Sequence, residues 1–178
     1  MKQLATQAQI DQAIANLASD IIDDFGDKRP LFVALLRGAM PFASKLIFEI
    51  TKQAPDMHPE LDYMMTSTYG DGRETKTPHV LADLSPSTQI EGRTVIVLDD
   101  VLDKGVTATL IIKHLLGLGA KDVKLAVLVE KDIEREDVYH ADYACFHAEP
   151  GWLVGMGMDD ATTAKDGFRW LEEIRIIP

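Results

Sequence analysis

Two runs in this chain are apolar at every position, LFVALL at 31–36 and VIVL at 95–98, and a third, Val123 to Val129, is broken only by Lys124. A strand with one face in water alternates apolar and polar residues, so strands that do not alternate must be covered on both faces. Each of the first two runs is followed by a polar or glycine-containing turn and then by helical spacing. After Pro41 the apolar residues are Phe42, Leu46, Ile47 and Ile50; after Gly105 the helix carries Leu110, Ile111, His114, Leu115 and Leu118 and stops near Gly119. Strand, helix, strand, repeated, predicts an α/β fold with a central parallel sheet flanked by helices and joined by right-handed crossovers.

Ahead of the first strand, Thr6 and Gln9 have the spacing of a capping box, and Ile10, Ile14, Leu17, Ile21 and Phe25 form one helical stripe that Gly26 ends. Asp27 to Pro30 is a turn. Residues 61–69 (LDYMMTSTY) read as a strand. The polar stretch GDGRETKTPH that follows has nothing to pack, which predicts a mobile loop and candidate lid at about 68–79. A short strand at His79 to Leu81 and a Ser-Pro-Ser turn lead back to the sheet. No repeat, linker or low-complexity segment divides the chain, and 178 residues with 46% hydrophobic content suffice for one domain spanning 1–178.

Eighteen Lys and Arg against 29 Asp and Glu leave a formal charge of −11. A surface of that sign repels a phosphate polymer, so no nucleic-acid partner is expected, whereas a small phosphorylated ligand carried with Mg²⁺ is compatible. The single cysteine, Cys145, excludes an intramolecular disulfide and fits a reducing cytoplasm. The first ten residues lack the apolar core of a secretion signal and no run approaches a membrane span, so no membrane partner is expected.

In an open parallel sheet, ligands bind at the carboxyl ends of the strands. Just beyond VIVL stands Asp99-Asp100-Val101-Leu102-Asp103-Lys104-Gly105-Val106-Thr107. Backbone N–H groups from Asp103 to Thr107, with the Thr107 hydroxyl, can surround a phosphate at a helix N-terminus, and Gly105 permits close approach. The adjacent Asp99 and Asp100 would repel that phosphate unless they hold something else; ribose hydroxyls or the shell of a Mg²⁺ ion would satisfy them. Taken alone, the motif also fits a solvated strand-end loop.

VIVLDDVLDKGVTATL resembles the phosphoribosyl-pyrophosphate (PRPP) signature of the type I phosphoribosyltransferases: a hydrophobic strand, two acids, two aliphatics, Asp, Thr or Ser, Gly, any residue, Thr. Lys104 departs from it, standing where that family usually has a small hydroxyl residue. Other segments are similar to the 6-oxopurine, hypoxanthine-guanine branch. LLRGAMPFASKL resembles its first loop, which implies that Arg37 and Gly38 bind pyrophosphate through backbone groups, often across a non-proline cis bond. Thr68 and Tyr69 resemble the start of its lid. Lys131, at the end of VKLAVLVEK, aligns with a lysine that donates to the 6-oxo oxygen of the purine. DYACFHAEPGWLVGMGMD resembles the base-pocket strand, which implies that Trp152 stacks on the base with Leu153 beside it and that Asp159 lies near the base and Mg²⁺. Lys165 falls where an arginine commonly faces pyrophosphate. The resemblance further implies phosphate binding by Asp103, Lys104, Gly105, Val106 and Thr107, and ribose binding by Asp99 and Asp100, with at most indirect contact of these two acids to the metal. It places the PRPP loop at 99–107 and the base pocket and hood at about 131–178, the small hood being formed by the N- and C-terminal segments.

The reaction implied by this resemblance is transfer of phosphoribosyl from PRPP to N9 of hypoxanthine or guanine, giving IMP or GMP and pyrophosphate. Mg²⁺ is the implied cofactor, Asp103 the catalytic residue facing N7, and a homodimer or homotetramer the implied assembly. Two other functions stand beside it. One is a sibling enzyme that takes xanthine or another nucleobase; the other is a non-catalytic PRPP sensor that binds nucleic acid, against which the charge of −11 and the presence of Asp103 and Tyr69 both speak. Read singly, Trp152 would be core, Lys131 a surface lysine and Arg37 a strand-end charge. Tyr143, Cys145 and His147 share one face of a strand with His140 nearby, but structural zinc sites usually close four ligands, often several of them Cys. Asp20, Asp23 and Asp24 read as a solvated helix face.

Overall fold

The computed structural model describes residues 1–69, 75–135 and 140–177, apart from the side chains of residues 68, 69 and 75–77. In chain order the elements are β1 (Lys2–Ala5), α1 (Gln7–Phe25), β2 (Leu31–Leu36), α2 (Met40–Gln53), a 3₁₀ turn (Pro55–Met57), β3 (Glu60–Tyr69), β4 (Thr75–Ala82) and β5 (Thr94–Leu102). There follow α3 (Val106–Gly117), β6 (Asp122–Lys131), β7 (Tyr143–Ala148), β8 (Trp152–Val154) and β9 (Ile174–Ile177). Six strands form one sheet in the order β4-β3-β2-β5-β6-β7, parallel except where β4 returns antiparallel against β3. The three others, β1-β9-β8, make a separate antiparallel sheet that joins the two ends of the chain, Lys2 opposite Ile176 and Trp152 opposite Ile177. This is the expected α/β architecture with its hood.

The runs without alternation are buried on both faces. Phe32, Ala34, Ile96, Leu98, Ala126 and Leu128 join the core that contains α1 and α2, while Leu31, Val33, Val95, Val97, Leu125 and Val127 join the core that contains α3. Full burial of each large side chain contributes roughly 1.5–3 kcal/mol, which is why the sheet centre accepts no polar residue. The capping box of α1 closes in both directions, the Thr6 N–H donating to Gln9 Oε1 at 2.9 Å and the Gln9 N–H to Thr6 Oγ1 at 3.3 Å. Ile10, Ile14, Leu17, Ile21 and Phe25 are its buried stripe, as the spacing predicts. Gly26 ends the helix in the right-handed region (φ −55°), and the left-handed turn falls at Arg29 (φ 47°).

Three expectations need correction. The stretch 70–79 is not loop throughout: Tyr69 registers with Thr75, Ser67 with His79, Thr66 with Val80 and Met65 with Ala82. The short strand expected at His79 to Leu81 is there, and it begins earlier, at Thr75, because cross-strand hydrogen bonding at a sheet edge needs no apolar side chain. The lid side chains Thr68 and Tyr69, and residues 70–74 between the strands, lie outside the described residues. Second, β1 and β9 have no counterpart in the sequence reading, because four residues are too few to show a period. Third, the buried stripe of α3 is Ala108, Ile111, Ile112 and Leu115, with Leu118 beyond the helix end and 41% exposed. Among the described residues no helix is long and apolar enough to cross a membrane.

Candidate active site

β5 pairs with β2 only as far as Leu98 opposite Ala34, but with β6 as far as Leu102 opposite Glu130. Asp99 and Asp100 therefore stand on a strand whose β2 side has opened, where the chain leaves β2 through Arg37 and Gly38. α3 starts at Val106 with Gly105 as its cap at φ 75°, a conformation that suits glycine. No side chain caps this end and its first turn holds no acid. The first amides of α3 have no acceptor within the helix and their dipoles favour an anion, so the end of α3 that Asp103 to Thr107 lead into is suited to one. Lys104 is exposed beside it and Val106 is 55% exposed.

Asp99 and Asp100 form a desolvated pair. Burial, and then the charge of Asp100, push the Asp99 carboxyl well above its ordinary range. Burial also raises Asp100, against hydrogen bonds and the positive charge of Arg169. The two carboxyls are neighbours, so the charge of one bears on the proton of the other. The Asp100 N–H donates to Asp99 Oδ1 at 3.0 Å and the Val101 N–H to Asp100 Oδ1 at 2.8 Å. Gly38 has to lack a side chain, since a Cβ there would lie 2.0 Å from Asp100 Oδ2. The Leu36–Arg37 peptide is cis, as the resemblance suggested. Gly157, at φ 103°, is equally constrained: a Cβ on it would lie 1.8 Å from the Gly38 carbonyl oxygen. The C-terminal segment thus meets the β2 loop backbone to backbone, and the β2 loop in turn meets the Asp100 carboxylate at the end of β5.

At the base end, Lys131 closes β6, is only 8% exposed and donates to Asp103 Oδ2 at 2.5 Å. Behind this pair lies Arg135, which sequence reasoning passed over. Its guanidinium donates to the carbonyls of Asp103 (2.6 Å), Leu102 (3.0 Å) and Lys131 (2.7 Å) and pairs with Glu130 at 3.0 Å. It therefore fixes the backbones that carry both Asp103 and Lys131; its only sequence signal is its nearness to Lys131. Lys131 registers with Ala148, and the chain then crosses Glu149-Pro150-Gly151 to Trp152. Trp152 is half-buried, and its indole N–H donates to the Asp159 carbonyl at 2.9 Å. Leu153 is 5% exposed with its side chain in the core, so only its backbone could meet a base. Lys131 also lines a cleft of about 450 Å³ with Glu130, Arg135, His140 and His147.

The strand residues that could suggest zinc have other work. The Tyr143 hydroxyl donates to Asp24, burial pushes the Cys145 thiol up to about 12, and His147 lies 3.4 Å from Asp132. Asp20, Asp23 and Asp24 are exposed on α1.

The C-terminal segment carries a second arginine that sequence reasoning missed. Arg169 is 5% exposed, pairs with Asp159 Oδ2 at 2.6 Å and Asp166 Oδ1 at 2.8 Å, and donates to the Gly157 carbonyl. Arg37 reaches the same Asp166 at 3.3 Å. The hydrogen bond from Arg169, with the charges of Arg37, Arg169 and Lys165, holds the Asp166 carboxyl below its ordinary range. Lys165 itself is exposed. Among the described residues no three His, Cys, Asp or Glu side chains are grouped to hold a metal by themselves. Asp159, with one oxygen on Arg169, and the Asp99–Asp100 pair suit a cation that brings most of its oxygen ligands with it, as Mg²⁺ does.

The family model for the phosphoribosyl transferase domain matches residues 1–161. The chain is 35% identical over 159 residues to the hypoxanthine-guanine phosphoribosyltransferase of Streptococcus thermophilus (strain CNRZ 1066), covering 89% of this chain and 84% of that one. It is 32% identical over 177 residues to the enzyme of the same name from Streptococcus pneumoniae (strain ATCC BAA-255 / R6), covering 99% and 92%. Among solved structures it superposes on a hypoxanthine phosphoribosyltransferase from Staphylococcus aureus with a TM-score of 0.86 at 25% identity, covering 100% and 91%. A hypoxanthine-guanine-xanthine phosphoribosyltransferase gives 0.82 at 28% identity, covering 99% and 96%. The chain belongs to the phosphoribosyltransferase family, among the purine-salvage enzymes of its hypoxanthine-guanine branch.

Proposed function

We propose that this chain transfers the 5-phosphoribosyl group of PRPP to N9 of hypoxanthine or guanine, releasing pyrophosphate and forming IMP or GMP. The Asp103–Lys131 pair carries the assignment: at 2.5 Å, it sets a carboxylate and an ammonium side by side at the mouth of the α3 cradle. A 6-oxopurine offers a complementary edge, with N7 for Asp103 and O6 for Lys131. The cradle amides and Thr107 take the 5′-phosphate, with Gly105 and Val106 supplying backbone and Lys104 adding charge. Asp99 and Asp100 accept from the ribose hydroxyls. With the diol bound, both carboxylates favour the positive charge that develops at C1.

Asp103 takes or holds the N7 proton as N9 attacks, Lys131 polarises O6, Trp152 stacks on the ring and the Leu153 backbone lines its edge. Arg37, Gly38 and Lys165 receive pyrophosphate, and a lid that includes Thr68 and Tyr69 excludes the water that would hydrolyse the activated sugar. Bound Mg²⁺ would neutralise the pyrophosphate leaving group, with Asp159 as the protein acid nearest to it and Asp99 and Asp100 at most indirect partners. The whole chain, 1–178, acts as one domain with its base pocket and hood at about 131–178, as a cytoplasmic homodimer or homotetramer.

Pyrophosphate release with PRPP, Mg²⁺ and each of hypoxanthine, guanine, xanthine, adenine and uracil tests this function. Release with hypoxanthine and guanine is expected; release with adenine or uracil alone would overturn it. Likeness to the xanthine-accepting structure supports a second reading in which xanthine is also used.

A further inference from the structure

We propose that Glu130 is a positioning residue for the incoming base: through Arg135 it fixes the two strand ends from which Asp103 and Lys131 reach the purine, and so governs base affinity without touching the base. The inference rests on the reading that Asp103 and Lys131 meet N7 and O6.

Glu130 precedes Lys131 on β6 and stands opposite Leu102 at the end of β5. Its side chain is 8% exposed and that of Arg135 only 2%, and the two pair at 3.0 Å. The other acceptors of Arg135 are the carbonyls of Leu102, Asp103 and Lys131. Carbonyls satisfy N–H groups but do not neutralise a guanidinium, and a cation this buried is costly without a carboxylate. Among the described residues, Glu130 is the carboxylate with which Arg135 pairs. Without its charge, the carboxylate of Asp103, whose carbonyl Arg135 already holds, becomes the alternative partner, in competition with Lys131 and with N7. A shift of either strand end also moves the reacting groups relative to the purine, and misplacement by about 1 Å can cost as much as 10²-fold. The amides offered to the 5′-phosphate begin beyond Gly105, past the carbonyls that Arg135 holds, so PRPP should feel the change far less. His140 Nδ1 lies 3.0 Å from the same oxygen, Glu130 Oε1, but its side chain is exposed and has water as another partner.

Steady-state kinetics of the whole chain with PRPP, Mg²⁺ and hypoxanthine or guanine, beside thermal melts, test this. Glu130→Gln keeps the shape and a neutral acceptor. It should raise KM for both bases by about fivefold to tenfold, as when a hydrogen bond loses a charged partner, and change KM for PRPP by less than about twofold. A purely structural role would move both KM values together with the melting temperature. In a Lys131→Ala background, where the O6 contact is already gone, Glu130→Gln should cost the bases a smaller factor than in the wild type, because residues that act through one another are not additive. An undiminished factor there would overturn the route through the strand ends. His140→Asn should leave all KM values within about twofold of the wild type, as for an exposed partner; an effect on the bases equal to that of Glu130→Gln would assign the hold to His140 and overturn the route through Arg135. Unchanged base KM in Glu130→Gln, or an equal rise for PRPP and base, overturns the proposal and leaves the wild-type reaction standing. A wild type that releases no pyrophosphate with either base overturns both. If Glu130→Gln does not fold, Glu130→Asp, which draws the charge back from Arg135, decides by the same split between base and PRPP.

Discussion

The two ends of the site are built from different materials. At the proposed phosphate end, the donors on offer are the amides of α3 after Gly105, and the Lys104 side chain stands exposed beside them. At the proposed pyrophosphate corner, Arg37, Asp159, Asp166 and Arg169 are linked by ion pairs, and Gly157 and Gly38 bring two backbones together. A cradle of amides is indifferent to most side chains as long as the turn is preserved. A charge cluster built round a buried cation depends on its carboxylates, because removing one leaves an arm of Arg169, 6% exposed, unpaired. The Asp103–Lys131 pair lies between these extremes, its lysine buried and its aspartate 46% exposed.

The largest effect should come from Asp103. Asp103→Asn preserves size and an acceptor for Lys131 but cannot exchange the N7 proton, so kcat should fall by about 10² to 10⁴ while IMP and GMP affinity changes little. Full kcat with weakened nucleotide binding and a lower melting temperature would make Asp103 a turn-stabilising residue and leave the cradle without a catalytic group. Next is Lys131. Lys131→Ala should weaken hypoxanthine and guanine binding by roughly 1.5 to 3 kcal/mol, as for a hydrogen bond to a charged donor, with PRPP affinity nearly intact. Unaltered purine binding in calorimetry would remove Lys131 from the pocket.

A smaller effect, of opposite sign, should appear at Asp99. The folded protein holds the Asp99 proton more tightly than the unfolded chain does, so its contribution to stability is full below the unfolded carboxyl value and is lost as pH rises through the folded one. Asp99→Asn should therefore stabilise the ligand-free protein near neutral pH by about 1 kcal/mol, the size common to single stabilising substitutions. The gain should shrink as the pH falls toward about 4, while ribose-containing ligands bind more weakly. Thermal melts from acid to neutral pH without ligand check this, and a gain that does not vary with pH would contradict it. The smallest change is expected at Lys104. Lys104→Thr should reduce nucleotide affinity by about threefold and lower its salt sensitivity, as for an exposed charge. Loss of PRPP binding in this variant would mean that side chains, not amides, carry phosphate recognition, and the contrast between the two ends would collapse.

The pattern of residues determined the centre of this protein. Strands with no polar face, an exact spacing at Thr6 and Gln9 and a glycine ahead of the third helix each act through neighbours in the chain, so β2, β5, β6, α1 and the cradle can be read from order alone. The acids of the proposed PRPP loop are legible for the same reason, since Asp99, Asp100 and Asp103 occupy fixed places at the end of a buried strand. Tertiary structure decided the rest. β1 and β9 exist because the two ends of the chain find each other, and β4 because β3 offers an unpaired edge. Arg135 and Arg169 look like surface charges in sequence; their roles arise from carbonyls and carboxylates that converge on them only after folding. Periodicity reports which side of an element leaves water, but pairing of a buried charge depends on distance between segments, and that distance is set by the fold.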